Sequence, residues 1–194
     1  MHRIAIFASG NGSNAENIIR HFSFADRNAR VALVVTNRAD AGVLRRAAGL
    51  GVPAEVLTRG DISNPDSLLP LLERHGVDFI VLAGFLLMVP GYLVRRYSRR
   101  IVNIHPALLP KFGGKGMYGI NVHRAVVNAR ETKTGITVHY VSEHYDEGEI
   151  IFQASVAVSP ADTPEDVEAK IHLLEAEHFP SVVEKVIDGL PDFA

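Results

Sequence analysis

The 194-residue chain has no cysteine. Disulfides and thiolate chemistry are therefore excluded, and any metal would have to be held by His, Asp or Glu. Nine histidines are present, but none stands in a His-Glu-x-x-His or His-x-His spacing, so no metal is expected. The chain also lacks a basic excess. Its net charge of −2 provides no field for nucleic acid, and the cluster Arg95, Arg96, Arg99 and Arg100 reads as a solvated helix face. Long hydrophobic runs are missing too. The longest, Phe79 to Val89, is too short to span a bilayer. No charged segment with an apolar core precedes Arg3-Ile4-Ala5-Ile6-Phe7, so no signal peptide is expected. These absences point to a soluble, cytoplasmic protein with neither nucleic-acid nor membrane partners.

What is present is an alternation of apolar β-branched runs and helical patterns. Strands are expected at Arg3–Ala8, Val31–Thr36, Ala54–Leu57, Phe79–Ala83 and Ile101–Ile104. Helices are expected at Asn14–His21, Ala41–Leu50, Pro65–His75 and Pro90–Tyr97. Near-continuous apolar strands separated by helices predict a doubly wound, mostly parallel α/β sheet covered on both faces. Ligands of such sheets bind outside the carboxyl ends of the strands. Beyond Pro110, Lys111–Gly119 carries four glycines in nine residues and reads as an irregular loop. A helix at Val122–Ala129 follows, then two alternating runs, Gly135–Val141 and Ile150–Val158, that predict an antiparallel addition. Thr163-Pro164-Glu165-Asp166 is a helix start, and Pro180 should kink or divide the helix behind it. Neither linker nor repeat interrupts the chain, so one domain over residues 1–194 is expected.

Ile101–Pro110 is the stretch around which the rest is organised. Proline after His105 rules out helix there, so Asn103 and His105 fall two apart on a strand end and face one side. An amide and an imidazole aimed together suit a developing oxyanion. Equally, Asn103 could simply end a strand and His105 be a hydrogen-bonded core histidine. The first βα turn, Ser9-Gly10-Asn11-Gly12-Ser13-Asn14-Ala15, offers glycines and free helix-start N–H groups to an anion. Its Gly10, Gly12 and Ala15 fit a loose dinucleotide spacing, but Thr36-Asn37-Arg38 provides no acid for a ribose, which favours a terminal phosphate. An ordinary capped turn is the competing reading. Asp146 lies in a turn, where aspartate is common; beside His105 it would raise the imidazole pKa and orient the ring. His123 and His139 read as structural histidines, and Glu175 as a solvated acid beside an apolar helix stripe.

Taken together, these segments resemble the glycinamide ribonucleotide formyltransferases, a folate-dependent purine-biosynthesis family. The resemblance rests on Ser9-Gly10-Asn11-Gly12-Ser13-Asn14, Thr36–Ala41, Leu82-Ala83-Gly84-Phe85, Asn103–Pro110, Gly135–Tyr140 and Asp146-Glu147-Gly148, in the family's order. It implies formyl transfer from 10-formyltetrahydrofolate, as co-substrate, to the amine of glycinamide ribonucleotide, with no metal. Asn103, His105 and Asp146 match the family's catalytic trio. Gly12, Ser13 and Asn14 would cradle the ribonucleotide phosphate, and Glu175 would lie near the glycinamide and ribose. The folate would lie against Leu86, Leu87, Met88 and Val89 and against Ser142, Glu143, His144, Tyr145 and Asp146, with Asn103 also in contact. Residues 1–100 would form a phosphate-binding half and residues 101–194 a folate and catalytic half, in a monomer or homodimer.

Two positions depart from the family pattern. Leu87 stands where many members carry a basic or polar side chain, and Asn121 replaces the first histidine of a His-x-His pair, so only His123 carries over. Arg59 is the one basic residue suggested for the folate glutamate tail. A formyltetrahydrofolate hydrolase would keep Asn103, His105 and Asp146 without needing the phosphate loop, and would add an N-terminal regulatory module. A methionyl-tRNA formyltransferase would add a C-terminal RNA-binding domain and a basic surface. A non-catalytic nucleotide-binding module would need none of the three.

Overall fold

The structure, a computed structural model, describes residues 1–190; the last four residues of the expected 1–194 span lie outside it. In chain order the elements are β1 (His2–Phe7), α1 (Ser13–His21), β2 (Ala29–Thr36), α2 (Gly42–Gly49), β3 (Ala54–Val56), α3 (Arg59–Ser63) and α4 (Pro65–Arg74). They continue with β4 (Phe79–Leu82), α5 (Gly91–Arg96), β5 (Ile101–His105), α6 (Ile120–Asn128), β6 (Lys133–Tyr140), β7 (Ile150–Ala157) and α7 (Pro164–Asp188). The strands form one seven-stranded sheet in the order β3-β2-β1-β4-β5-β6-β7. Pairing is parallel from β3 through β5, and β6 and β7 join antiparallel, as the sequence pattern predicts.

Period-2 alternation sorts the strand side chains into two cores. Ile4 and Ile6 of β1 pack with α1, α2, α6 and α7 on one face. Ala5 and Phe7 pack with α3, α4 and α5 on the other. The same alternation places Val102 and Ile104 of β5 under α7. Asn103 and His105 are thereby left facing the opposite side. The sheet order reverses between β1 and β4, so the loops that follow these strands flank a crevice at the carboxyl edge.

Three details differ from the sequence reading. The short helix α3 was not foreseen; Thr58 and Asp61 start it with a reciprocal capping box. Strand β6 is buried along almost its whole length rather than alternating, because it lies between β5 and β7 and is covered on both faces. Helix α7 runs undivided through Pro180 for 25 residues. Buried Val167, Ile171 and Phe179 before the proline, and Val182, Val183 and Ile187 beyond it, anchor both halves to one core. That continuous packing outweighs the loss of one backbone hydrogen bond.

Candidate active site

The antiparallel pairing of β5 with β6 sets Asn103 opposite His139 and His105 opposite Thr137. The four residues share one sheet face at the strand end. Asn103 Nδ2 and His139 Nε2 are 3.0 Å apart. Thr137 Oγ1 donates to the Ala107 carbonyl (2.7 Å) and accepts from the Leu109 N–H (3.0 Å). It thereby pins the His105–Pro110 turn to β6. Gln153 of β7 adds donor contacts to Thr137 Oγ1 and to the Leu109 carbonyl.

Asp146 reaches this group from the β6–β7 turn. Its carboxylate lies 3.6 Å from His105 Nδ1 and 3.6 Å from His139 Nε2, and accepts the Gly114 N–H at 2.8 Å. It stands in the left-handed region at φ 56°, which aspartate tolerates better than most residues. Burial on its own would raise the Asp146 pKa, but His139, His105 and the Gly114 N–H together hold the carboxyl below its ordinary value. His105 is almost wholly buried, and its Nε2 donates to the Phe112 carbonyl at 2.8 Å. Desolvation pushes the imidazole below its ordinary pKa against the opposing pull of Asp146. The carboxylate acts in the expected direction, but a 3.6 Å contact does not offset near-complete burial. The resting pair is a neutral ring beside an ionised acid.

The glycine turn sits at the crevice, across α1. Gly12 caps α1 in the left-handed conformation (φ 80°) with no side-chain cap, so the first-turn N–H groups meet no capping side chain of that residue. A Cβ on Gly12 would come within 2.6 Å of Val43 in α2, so both conformation and space require glycine. Asn14 faces Glu175 of α7 and partly opposes the effect of burial on its carboxyl. Glu175 is buried, and burial raises its pKa, so its reading as a solvated acid is corrected. Four residues earlier than the α7 proline-phenylalanine pair, it lies on the inward face with Ile171 and Phe179. His123 of α6 is also buried. Desolvation, helped by His172 and His105, lowers its pKa to about 4, and its Nδ1 has no hydrogen-bond partner among the described residues.

The loop after β4 alternates outward and inward. Leu86 and Met88 are exposed, whereas Val89 is buried and Leu87 packs on the α4–α5 core. Leu87 therefore turns its side chain into that core. The Leu86 N–H donates to Ser9 Oγ (2.9 Å), and Ser9 Oγ donates to Asn37 Oδ1 (2.5 Å), tying this loop to the glycine turn. In the β6–β7 turn, Ser142 folds back on His144 (His144 N–H to Ser142 Oγ, 3.2 Å), Glu143 pairs with Arg95 at 2.7 Å, and Tyr145 is exposed. Val141 packs on the same core as Leu87, which brings the two loops to one side of the sheet. Arg59, on α3, is exposed. His139 and Thr137 are the site residues the sequence reading undervalued. The available signal was their period-2 placement in Gly135–Tyr140, but it acquires meaning only once β6 pairs with β5. Among the described residues no group of three or more His, Asp or Glu side chains is arranged to hold a metal ion, and no helix is long and apolar enough to cross a membrane.

A doubly wound sheet carrying an Asn-x-His-Pro strand end, a facing aspartate and a glycine turn defines a class, and comparison with known proteins agrees with it. The family described as formyl transferase matches residues 2–183, and the chain belongs to that family. Within it, the chain is 41% identical to the chloroplastic phosphoribosylglycinamide formyltransferase of Arabidopsis thaliana, over 97% of this chain and 69% of that one. It is 36% identical to the phosphoribosylglycinamide formyltransferase of Haemophilus influenzae, over 97% of this chain and 89% of that one. The glycinamide ribonucleotide transformylase 1 of Symbiobacterium toebii superposes with a TM-score of 0.88 at 33% identity, covering 99% of this chain and 91% of that one.

Proposed function

We propose that the protein transfers the formyl group of 10-formyltetrahydrofolate to the amine of glycinamide ribonucleotide, giving N-formylglycinamide ribonucleotide and tetrahydrofolate in purine biosynthesis. The observation that carries this reading is the convergence of Asn103, His105 and Asp146, from β5 and from a turn some forty residues on, beside a glycine turn suited to a phosphate.

The ribonucleotide phosphate binds at Gly12, Ser13 and Asn14, and Glu175 contacts the glycinamide and ribose part. The folate lies along Leu86–Val89 and Ser142–Asp146. The amine nitrogen attacks the formyl carbon, the carbonyl π pair moves to oxygen, and a tetrahedral oxyanion forms. An Asn103 N–H donates to that oxygen, and so does the His105 Nε2–H once it leaves the Phe112 carbonyl. Asp146, ionised, takes the proton from the attacking nitrogen through water and returns it to folate N10 as the C–N10 bond breaks. No metal enters the scheme. The two small molecules suffice as partners for a cytoplasmic monomer or homodimer of one formyltransferase domain, with neither nucleic acid nor membrane.

The test is folate absorbance in the presence of 10-formyltetrahydrofolate, with and without glycinamide ribonucleotide. Turnover is expected only with the ribonucleotide. Equal turnover without it would identify a hydrolase, and none in either case would reject formyl transfer to this acceptor. Under the same conditions, Asp146→Ala and His105→Ala are each expected to lower kcat by about 10²–10³ while folate binding persists. A near-normal kcat in either variant would contradict the assigned role.

A further inference from the structure

We infer that His139 is a positioning residue that fixes the amide orientation of Asn103, and through it the direction of the N–H offered to the reacting oxygen. The inference rests on the formyl-transfer reading of the site. Its basis is the donor and acceptor count around one ring. His139 Nδ1 lies 2.8 Å from the carbonyl of Tyr140, which can only accept. Nδ1 therefore carries the hydrogen. In the neutral ring Nε2 is left as an acceptor, and the group facing it at 3.0 Å is Asn103 Nδ2. The amide then has one orientation that makes a hydrogen bond. Turned over, Asn103 would aim Oδ1 at the Nε2 lone pair and set two acceptors face to face. One N–H of Asn103 is spent on His139, and the other is left for substrate.

The surroundings hold the ring in this orientation. His139 is almost fully buried on the strand paired with β5, so its plane is set by the sheet register. Gly148 lets the returning chain cross close by: a Cβ there would fall 1.6 Å from the Tyr140 carbonyl oxygen and 3.4 Å from His139 Nδ1. That carbonyl is the acceptor that selects the tautomer. Asp146, 3.6 Å from Nε2, supports a competing role in which His139 is protonated and serves the carboxylate instead. The two roles differ in the residue through which His139 acts.

A double-mutant cycle separates them. His139→Leu should reduce kcat by at least about 10-fold, up to the 10²–10³ of an oxyanion donor lost outright. Both KM values should stay within about twofold, because binding does not depend on that N–H. His139→Gln retains an acceptor oxygen and should recover part of the loss. In an Asn103→Ala background, His139→Leu should cost less than about twofold more, since the amide it orients is gone. In an Asp146→Asn background its full cost should remain. The inference is overturned if the His139 and Asn103 losses multiply, or if the His139 loss vanishes only beside Asp146→Asn. It is equally overturned if His139→Leu folds and retains wild-type kcat. Should His139→Leu fail to fold, His139→Phe, which likewise has no acceptor, is carried through the same cycle with the same expectations. Failure of the formyl-transfer reading is distinct, because the unmodified protein would then show no ribonucleotide-dependent turnover at the outset.

Discussion

At the scale of single residues, the buried histidines set the response to acid. His123 has a folded pKa of about 4, depressed mainly by desolvation, against about 6.5 in an unfolded chain. Between these values the unfolded chain binds a proton that the folded protein refuses, so stability rises with pH through this window. The contribution is fully present above pH about 6.5 and falls away toward pH 4, by up to about 3 kcal/mol at the acid end. His105 is shifted in the same direction by its own burial and adds to the slope. His123→Phe should therefore flatten the decline in unfolding free energy between pH 6.5 and 4 and leave stability near pH 7.5 within about 1 kcal/mol. Chemical denaturation across that range checks the prediction, and an unchanged slope would show that His123 is not the group refusing the proton. Gly12 makes a second residue-scale case. Gly12→Ala meets both a left-handed φ and Val43 at 2.6 Å. The cost should be about 2–4 kcal/mol, with a KM for the ribonucleotide raised at least about 10-fold and a smaller change in folate KM. Equal shifts in the two KM values would remove the glycine turn from the phosphate site.

At the scale of elements, the glycine-rich loop and the β6–β7 turn work as one unit. Phe112 supplies the carbonyl that satisfies His105 Nε2, and Gly114 supplies the N–H that holds Asp146. In the proposed mechanism the ring hydrogen offered to the oxyanion is held by the loop at rest and has to leave the Phe112 carbonyl. Phe112 itself is held at φ 56°, an unfavourable conformation for a bulky residue, and Gly114 and Gly116 also have positive φ. Gly113 fits between the two partners: a Cβ there would stand 2.6 Å from Leu109 Cδ2 and 3.2 Å from Asp146 Cβ. The Leu109 side chain can move only within a buried site, so part of the displacement passes to Asp146. Gly113→Ala should lower kcat about 10-fold while shifting the melting temperature by no more than a few degrees. Kinetics paired with thermal unfolding tests this; a fall in stability with kcat intact would make the contact purely structural.

The whole molecule explains which of these features were legible in the sequence. The parallel strands were legible because burial on both faces leaves unbroken apolar runs such as Phe79-Ile80-Val81-Leu82. The shared side of Asn103 and His105 followed from period 2 and one proline. Glu175 was misread because a residue bordering an apolar stripe is inward or outward according to what packs on it, here Asn14 of α1. His139 was undervalued because its meaning lies in the register with β5, a contact between residues 36 apart in the chain. Pro180 was overvalued because the local rule takes no account of the core beneath α7.

The same long-range logic applies to Ser9, which a local reading would leave as one polar residue of a turn. It is 1% exposed and stands where the sheet order reverses. Its N–H donates to the Gly84 carbonyl, its hydroxyl donates to Asn37 Oδ1, and the hydroxyl oxygen accepts the Leu86 N–H. One side chain therefore joins the exits of β1, β2 and β4, and with them the proposed phosphate turn and folate loop. Ser9→Ala would leave the Leu86 N–H and Asn37 Oδ1 without that partner, costing about 1–3 kcal/mol. At about 2–4 °C per kcal/mol for a chain of this length, the melting temperature should fall by several degrees. The functional loss should be shared: both KM values rise, and saturating one substrate restores part of the affinity for the other, because either ligand can re-order the common hinge. In the unmodified protein, where the hydroxyl already provides that order, the coupling should be weaker. Initial rates over a grid of both substrates measure it directly, and a Ser9→Ala enzyme with an unchanged melting temperature or with only one KM altered would show that the two loops are held together by something else.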